Sequence, residues 1–295
     1  MLEYVRTPPE RFENLPDFNF KENYVDFQNM QMHYLDEGQG EVILALHGEP
    51  SWCFLYRKFI PVLKGYRFIA PDFLGFGKSD KPINWKEYNY QLHLDSLISF
   101  CDKLELNNIT LVVQDWGGLL GLGLLGQHPE RFKRVVIMNT FLPIGKKLKL
   151  PFKIWVWFAR YHPSLPVGRL IQYASYATLS KKVLKAYDAP YPNRKFKAGA
   201  RAFPSLVPSN KKDPAVVYLK HAREVLSNWD KPALVLFSDK DKILGGLEKF
   251  FYKLMPATNK QQKIIIENAG HFLQEEKGKE IAQYVDAFIK GELEL

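Results

Sequence analysis

An aspartate at the tip of a strand–turn–helix unit, a histidine after a late strand and a second aspartate between them in the chain are the residues best placed to do chemistry. In Leu111-Val112-Val113-Gln114-Asp115-Trp116-Gly117-Gly118 an apolar run leads through small residues into a helical pattern. This is the setting of a nucleophile elbow with Asp115 at its apex. Gly117 is the small residue two places after the apex, but Val113 stands two places before it, so the G-x-S-x-G spacing is only half matched. Read alone, Asp115 serves equally well as a cap of the following helix. His271 closes Ile264-Ile265-Ile266-Glu267-Asn268-Ala269-Gly270-His271, and Asp241 follows Leu236-Phe237-Ser238-Asp239-Lys240. Nucleophile, acid and base thus occur in that chain order, each at the carboxyl end of an expected strand, where open parallel sheets place their sites. His47-Gly48-Glu49-Pro50 directly follows the apolar run Val42–Leu46. The backbone amides of Glu49 and Trp116 are the expected pair of oxyanion donors, with His47 structural.

The elements that must hold these residues follow from hydrophobic periodicity. Tyr24–Gln28 and Gln31–Leu35 alternate and predict an antiparallel hairpin turning near Asn29. Val42–Leu46, Arg67–Pro71, Ile109–Gln114, Val135–Asn139, Ala233–Ser238 and Lys263–Glu267 read as continuously buried parallel strands. Crossover helices are expected at Phe54–Leu63, Tyr88–Leu106, Gly117–Gln127, Leu247–Leu254 and Lys279–Ile289. The result is an α/β fold with a mostly parallel sheet, flanking helices and one antiparallel edge. From Leu142 to Ala222 no buried-strand run occurs, only aromatic and basic helical stretches broken by prolines. That segment predicts a helical cap, residues 142–222, inserted between a first core part, 1–141, and a second, 223–295.

Composition bounds the rest. The chain has 295 residues, 46% hydrophobic and 25% charged, which excludes disorder, collagen and coiled coil. Its net charge of +9 raises nucleic acid or anionic lipid as partners. The expected cap carries 16 Lys+Arg against two acidic residues, a net of +14, leaving −5 for the remainder. Because these cations are interleaved with Pro and aromatics, they read as a solvated outer face rather than a nucleic-acid module, although such a field also favours anionic ligands. Cys53 and Cys101 form no metal-spaced pair and read as reduced, buried thiols. The N-terminus lacks a signal-peptide pattern, and no apolar run reaches the ~20 residues needed to span a bilayer. A cytoplasmic monomer without nucleic-acid or membrane partner, metal or cofactor is expected.

Four stretches resemble the haloalkane dehalogenases of the α/β-hydrolase fold: His47-Gly48-Glu49-Pro50-Ser51-Trp52, Ala70-Pro71-Asp72-Phe73-Leu74-Gly75-Phe76-Gly77-Lys78-Ser79-Asp80-Lys81-Pro82, Val113-Gln114-Asp115-Trp116-Gly117-Gly118 and Gly270-His271-Phe272. The Gln-Asp-Trp-Gly-Gly elbow is the specific part. The resemblance covers the core from about Arg6 to the C-terminal helix and is patchy in the inserted segment. It implies that Asp115 displaces halide from a saturated carbon, that His271 activates water against the resulting ester, and that Asp241 orients the imidazole. It implies halide binding by the Trp116 indole N–H and by a second donor. Position 49 is Glu where some members carry Asn as that donor, so a cap tryptophan is expected, with Trp155 aligning best and Trp157 second. Glu49 would then sit near the hydrolytic water. Some members place the acid as Glu after the strand ending here in Met138-Asn139-Thr140; the absence of a carboxylate there leaves Asp241, preferred over Asp239. Asp72 and Asp80 read as turn-formers around Gly75 and Gly77.

The partners implied are a small halogenated aliphatic substrate, water and halide ion. An epoxide hydrolase shares the Asp nucleophile and His base but requires cap tyrosines, of which the segment has several; Gln114, where that group carries His, argues against it. A luciferase-like oxygenase would favour Asn at position 49. A non-catalytic ligand receptor on the same scaffold would have no need of all three catalytic types.

Overall fold

A computed structural model describes residues 2–258 and 263–293. The apolar runs become strands: β1 (Tyr4–Val5), β2 (Asn23–Phe27), β3 (Met30–Glu37), β4 (Val42–Leu46), β5 (Arg67–Pro71), β6 (Lys81–Pro82), β7 (Ile109–Gln114), β8 (Phe132–Met138), β9 (Ala233–Ser238) and β10 (Ile264–Ile266). Eight of them form one sheet in the order β10-β9-β8-β7-β4-β5-β3-β2, parallel from β5 to β10. The β2–β3 hairpin and the β3–β5 pair are antiparallel, as the alternating pattern predicts. The central strand β7 is buried along its whole length, which its unbroken Ile-Thr-Leu-Val-Val-Gln composition requires of a strand covered on both faces. At the opposite edge the expectation of continuous burial fails: Ile265 in β10 is 43% exposed because only one side of that strand is paired. The two-stranded β1–β6 ladder was not legible in the pattern.

The helices are α1 (Tyr90–Lys103), α2 (Trp116–Gln127), α3 (Leu150–Tyr161), α4 (Val167–Ala174), α5 (Lys181–Asp188), α6 (Ala198–Leu206), α7 (Ala215–Ser227), α8 (Glu248–Leu254) and α9 (Leu273–Lys290). Asn89 starts α1 by accepting the Leu92 N–H at 2.9 Å. The helix expected at Phe54–Leu63 is instead a single 3-10 turn, Cys53–Tyr56, followed by further i→i+3 turns. Pro61 has no N–H to return to Arg57 and cannot sit inside a continuing helix. Helix α9 begins six residues earlier than expected, two residues after His271 with Phe272 as its N-cap, and has a kink at Lys277. Between β8 and β9 the described chain is helical, from α3 to α7; α7 packs on α2, and Ala222 lies within it. None of the described helices is long and apolar enough to cross a membrane.

The sheet reverses direction of winding between β4 and β7, so the loops leaving their carboxyl ends meet. Those loops begin at His47 and Asp115. Beside them Asp72 organises the β5–β6 turn: it accepts from Cys53 N–H at 2.7 Å and Lys78 N–H at 2.9 Å, and pairs with His33 Nδ1 at 2.8 Å. Burial opposes its ionisation, but the His33 bond and charge outweigh it and hold the carboxyl below the usual carboxylate range. Asp80 pairs with Arg6 through both oxygens and accepts the Gln31 N–H. Asp72 forms the turn as expected, whereas the Asp80 side chain bonds outside it and ties the end of the turn to Arg6 and β3.

Candidate active site

Asp115 has φ +49° and ψ −123°, a conformation that costs a non-glycine residue on the order of 1–3 kcal/mol and persists only where its surroundings impose it. Its N–H donates to Asn139 at 3.1 Å, and its carbonyl accepts from Gly118 N–H at 2.9 Å and Thr140 Oγ at 2.7 Å. A Cβ on Gly117 would fall 2.0 Å from the Leu46 carbonyl oxygen, so only glycine lets the turn close on β4. Val113, the departure from the usual spacing, is accommodated by Gly121 across the helix, where a Cβ would come within 2.7 Å of a Val113 methyl. The side chain of Asp115 makes no helix-capping bond. Oδ1 instead accepts the Glu49 amide at 2.8 Å, which removes the reading of Asp115 as a cap.

The loops after β9 and β10 bring the other two residues to it. His271 Nδ1 lies 2.9 Å from Asp241 Oδ2, and Nε2 lies 3.4 Å from Asp115 Oδ2. The Asp241 side chain is fully buried and its second oxygen accepts from Ile243 N–H at 2.7 Å and Leu244 N–H at 3.1 Å. Asp239, by contrast, is partly exposed and pairs with Lys240. Burial disfavours the His271 imidazolium, but the charge of Asp241 and the bonds to Asp115 and Asp241 prevail and raise its pKa to about 10. Burial likewise works against ionised Asp241, and the His271 charge overcomes it, leaving that pKa lowered.

His47 is fixed as the neutral imidazole: Nε2 accepts the Phe73 N–H at 3.0 Å, which makes Nδ1 the donor to the Gly48 carbonyl at 2.9 Å. Burial lowers its pKa. It is structural, as expected. Glu49 is also buried, with Oε1 lacking a partner among the described residues. Burial, reinforced by the Asp115 charge and only partly opposed by His271, holds this carboxyl well above the usual carboxylate range.

Trp116 is 4% exposed, packs edge-to-face on Phe203 of α6 at 4.7 Å, and its indole N–H donates to no described residue. On α3, Trp155 is half-buried and stacks on Phe158, whereas Trp157 is 64% exposed. Residues two apart on a helix point to opposite sides; the inward indole of this pair is therefore that of Trp155. No described ring contact or hydrogen bond joins it to the triad.

Comparison with known proteins identifies the fold and the family. A family model of the alpha/beta hydrolase fold matches residues 41–278. A haloalkane dehalogenase of Psychrobacter cryohalolentis is 46% identical over 98% of this chain and 98% of its own, and one of Mycolicibacterium paratuberculosis is 44% identical over 96% and 97%. The chain belongs to the haloalkane dehalogenase family. The solved tetrameric haloalkane dehalogenase DpaA from Paraglaciecola agarilytica NO2 is similar throughout, with a TM-score of 0.90 at 40% identity, covering 96% of this chain and 97% of that one.

Several residues position the site in this dehalogenase-family chain in ways the sequence did not show, Gln114 being marked there only as a discriminator from epoxide hydrolases. Asn139 donates to Ser238 Oγ and to the carbonyls of Gly270 and His271, and accepts the Ser238 N–H, tying β8, β9 and the histidine loop together. Gln114 donates to the His271 carbonyl at 3.1 Å and faces Nε2 at 3.2 Å. Glu276 accepts from Gly270 N–H at 2.7 Å and Tyr176 N–H at 2.9 Å, while the His271 N–H donates to Ala174 at 2.7 Å. The only signal in the sequence was their place, at strand ends or beside His271.

Proposed function

We propose that this protein is a hydrolase of carbon–halogen bonds that converts a haloalkane to an alcohol, halide and a proton through an ester on Asp115. The observation that carries the reading is the Asp115–His271–Asp241 line at the switch point of the sheet, with the Glu49 amide already on the nucleophile. A carboxylate attacks a saturated carbon without first losing a proton. Oδ2 of Asp115 forms the C–O bond as the carbon–halogen bond breaks, and the halide takes the indole N–H of Trp116, with Trp155 as second donor. Water then adds to the carbonyl carbon of the ester and loses a proton to His271, the amides of Glu49 and Trp116 holding the oxyanion. Collapse breaks the bond between the carbonyl carbon and the alkoxide oxygen; the alkoxide takes the proton of the newly formed Asp115 carboxyl and leaves as the alcohol, so Asp115 returns ionised and His271 keeps the proton it took from water.

The charge on Asp115 governs when His271 acts. Flanked by two carboxylates the imidazole is protonated; esterification removes one of them, so its pKa falls and its proton leaves with the halide, freeing the base. We take Glu49 to be a neutral carboxyl beside the hydrolytic water. Glu49→Gln, which copies the neutral form, is then expected to keep halide release within about threefold, whereas Glu49→Ala lowers it about tenfold or more; steady-state kinetics with 1-iodobutane compares them. Trp155→Phe is expected to weaken bromide and iodide quenching of fluorescence about tenfold more than Trp157→Phe, and equal effects would remove the cap assignment.

The cap tyrosines argue against epoxide opening. Tyr161, Tyr173 and Tyr176 are each more than half exposed, Tyr187 donates to Glu275 at 2.7 Å and Tyr191 to the Pro50 carbonyl at 3.3 Å. Incubation with 1,2-dibromoethane, 1-iodobutane and, separately, styrene oxide tests the proposal. Halide release is the expected result; diol without halide would move the protein to the epoxide hydrolases, and silence on both would favour a receptor. We place the reaction in the cytoplasm, in keeping with the unpaired buried thiols of Cys53 and Cys101, and take residues 142–222 as the cap over it and the working unit as a monomer.

A further inference from the structure

Helix α3 has an outer face that none of the described residues covers. Leu150, Ile154, Trp157 and Tyr161, spaced four, three and four residues apart, form one stripe along it, and they are 68%, 57%, 64% and 59% exposed. Exposed apolar side chains are ordinary when scattered; a line of four large ones along a single helix is a patch. Its margin is cationic. Lys146, Lys147 and Lys149 precede the helix and Lys153 lies on it beside Leu150, Ile154 and Trp157, all four exposed. From Arg131 to Tyr187 the sequence contains no Asp or Glu at all.

At the far end of the stripe Tyr161 borders a cleft of about 440 Å³, walled also by Trp85, Arg160, Arg194, Lys195 and Arg201. Arg201 is spent on the carbonyls of Ala159, Arg160, His162 and Pro163, which anchors the last turn of α3 and fixes the stripe relative to the cleft. The Arg160 guanidinium lies 3.6 Å over the Trp85 ring. Among the described residues neither Arg160 nor Arg194 has a carboxylate partner, and Lys195 has only a loose one in Glu3 at 3.8 Å.

We infer that α3 and the adjoining cleft dock this protein on the surface of a bilayer containing anionic phospholipids. The stripe enters the boundary between headgroups and acyl chains, with Trp157 and Tyr161 at the level where aromatic rings settle. The flanking lysines meet lipid phosphates, and the cleft takes a phosphodiester on Arg194, Lys195 and the outer edge of the Arg160 guanidinium, which the Trp85 ring holds in place. The helix lies on the membrane and does not enter it: its 12 residues span about 18 Å, short of the ~30 Å hydrocarbon core. A second copy of the chain is the poorer occupant, because a twofold contact through this stripe would bring two lysine-fringed, acid-free faces together. The inference thus gives a partner to a surface that the sequence alone reads as solvated.

The test is co-sedimentation of the full-length protein with vesicles of phosphatidylcholine alone and of phosphatidylcholine mixed with phosphatidylglycerol, together with tryptophan emission. Binding is expected to the mixed vesicles, with a blue shift, and to weaken as salt shortens the ~8 Å screening length of physiological buffer. Leu150→Asp with Ile154→Asp, and separately Lys149→Glu with Lys153→Glu, should each lower the partition coefficient about tenfold or more while leaving thermal melting unchanged. Equal binding to both vesicle types, binding untouched by either pair, or no binding would overturn the inference. So would sedimentation velocity showing an oligomer that Leu150→Asp with Ile154→Asp dissolves while vesicles stay unbound.

Discussion

Asp115→Ala is expected to abolish halide release, by at least about 10⁴-fold, with the protein still folded. The loss is that large because nothing else in the site is placed to form the bond to carbon: the flanking carboxylates raise the His271 pKa to about 10, Asp241 is fully buried behind it, and burial holds the Glu49 carboxyl well above the usual carboxylate range. Nor should the fold suffer. The backbone bonds that hold the elbow, from Asp115 N–H to Asn139 and from Thr140 Oγ to the Asp115 carbonyl, do not involve the carboxylate. The carboxylate's bond to the Glu49 amide and its 3.4 Å pairing with His271 Nε2 are lost, and alanine remains strained at φ +49° as aspartate is. Halide release from 1,2-dibromoethane beside a thermal melt separates the two effects. Wild-type-like turnover in the variant would sink the mechanism.

His271→Ala divides the reaction instead of preventing it. Displacement needs only the ionised Asp115, so one equivalent of halide should be released; hydrolysis needs the base, so turnover should stop, with at least about 10³-fold loss of steady-state rate. The intact protein should then weigh more by one alkyl group, located by peptide mapping at Asp115. Proton linkage gives an independent check in the wild type. The folded-state pKa of His271 is raised to about 10 against an unfolded value near 6.5, so the ion pair's contribution to stability is complete below about pH 6.5 and is lost as pH rises through about 10. The imidazole signals should therefore titrate near pH 10 in the free enzyme and at lower pH once Asp115 is esterified. A variant that releases halide continuously would show that another group deprotonates the water.

The family was visible in the sequence, and the relatives at 44–46% identity show it. Strands such as Val42–Leu46, Arg67–Pro71, Ile109–Gln114 and Ala233–Ser238 were legible to the residue because a strand buried on both faces must be continuously apolar and is bounded by turn residues. Periodicity misled at Phe54–Leu63, where apolar spacing suited a helix that Pro61 forbids, and at Ile265, where edge position cannot be read from a local run. Asp115, His271 and Asp241 could be picked out because parallel sheets present their site residues at carboxyl ends of strands, a place the sequence marks.

By itself, then, the chain's covalent order determined the α/β class, the strand–turn–helix seat of Asp115, and the candidates at the ends of β9 and β10. Only the tertiary structure decided what those residues meet. It chose Asp241 over Asp239 by burying one and pairing the other with Lys240, fixed the His47 tautomer through the distant Phe73 amide, and turned Trp155 inward and Trp157 outward. The physical reason is range. Propensity, turns and hydrophobic pattern act between neighbours in the chain, whereas tautomers, shifted pKa values and uncovered faces depend on groups that folding brings together from separate elements, 26 residues apart for His47 and Phe73 and 30 for Asp241 and His271.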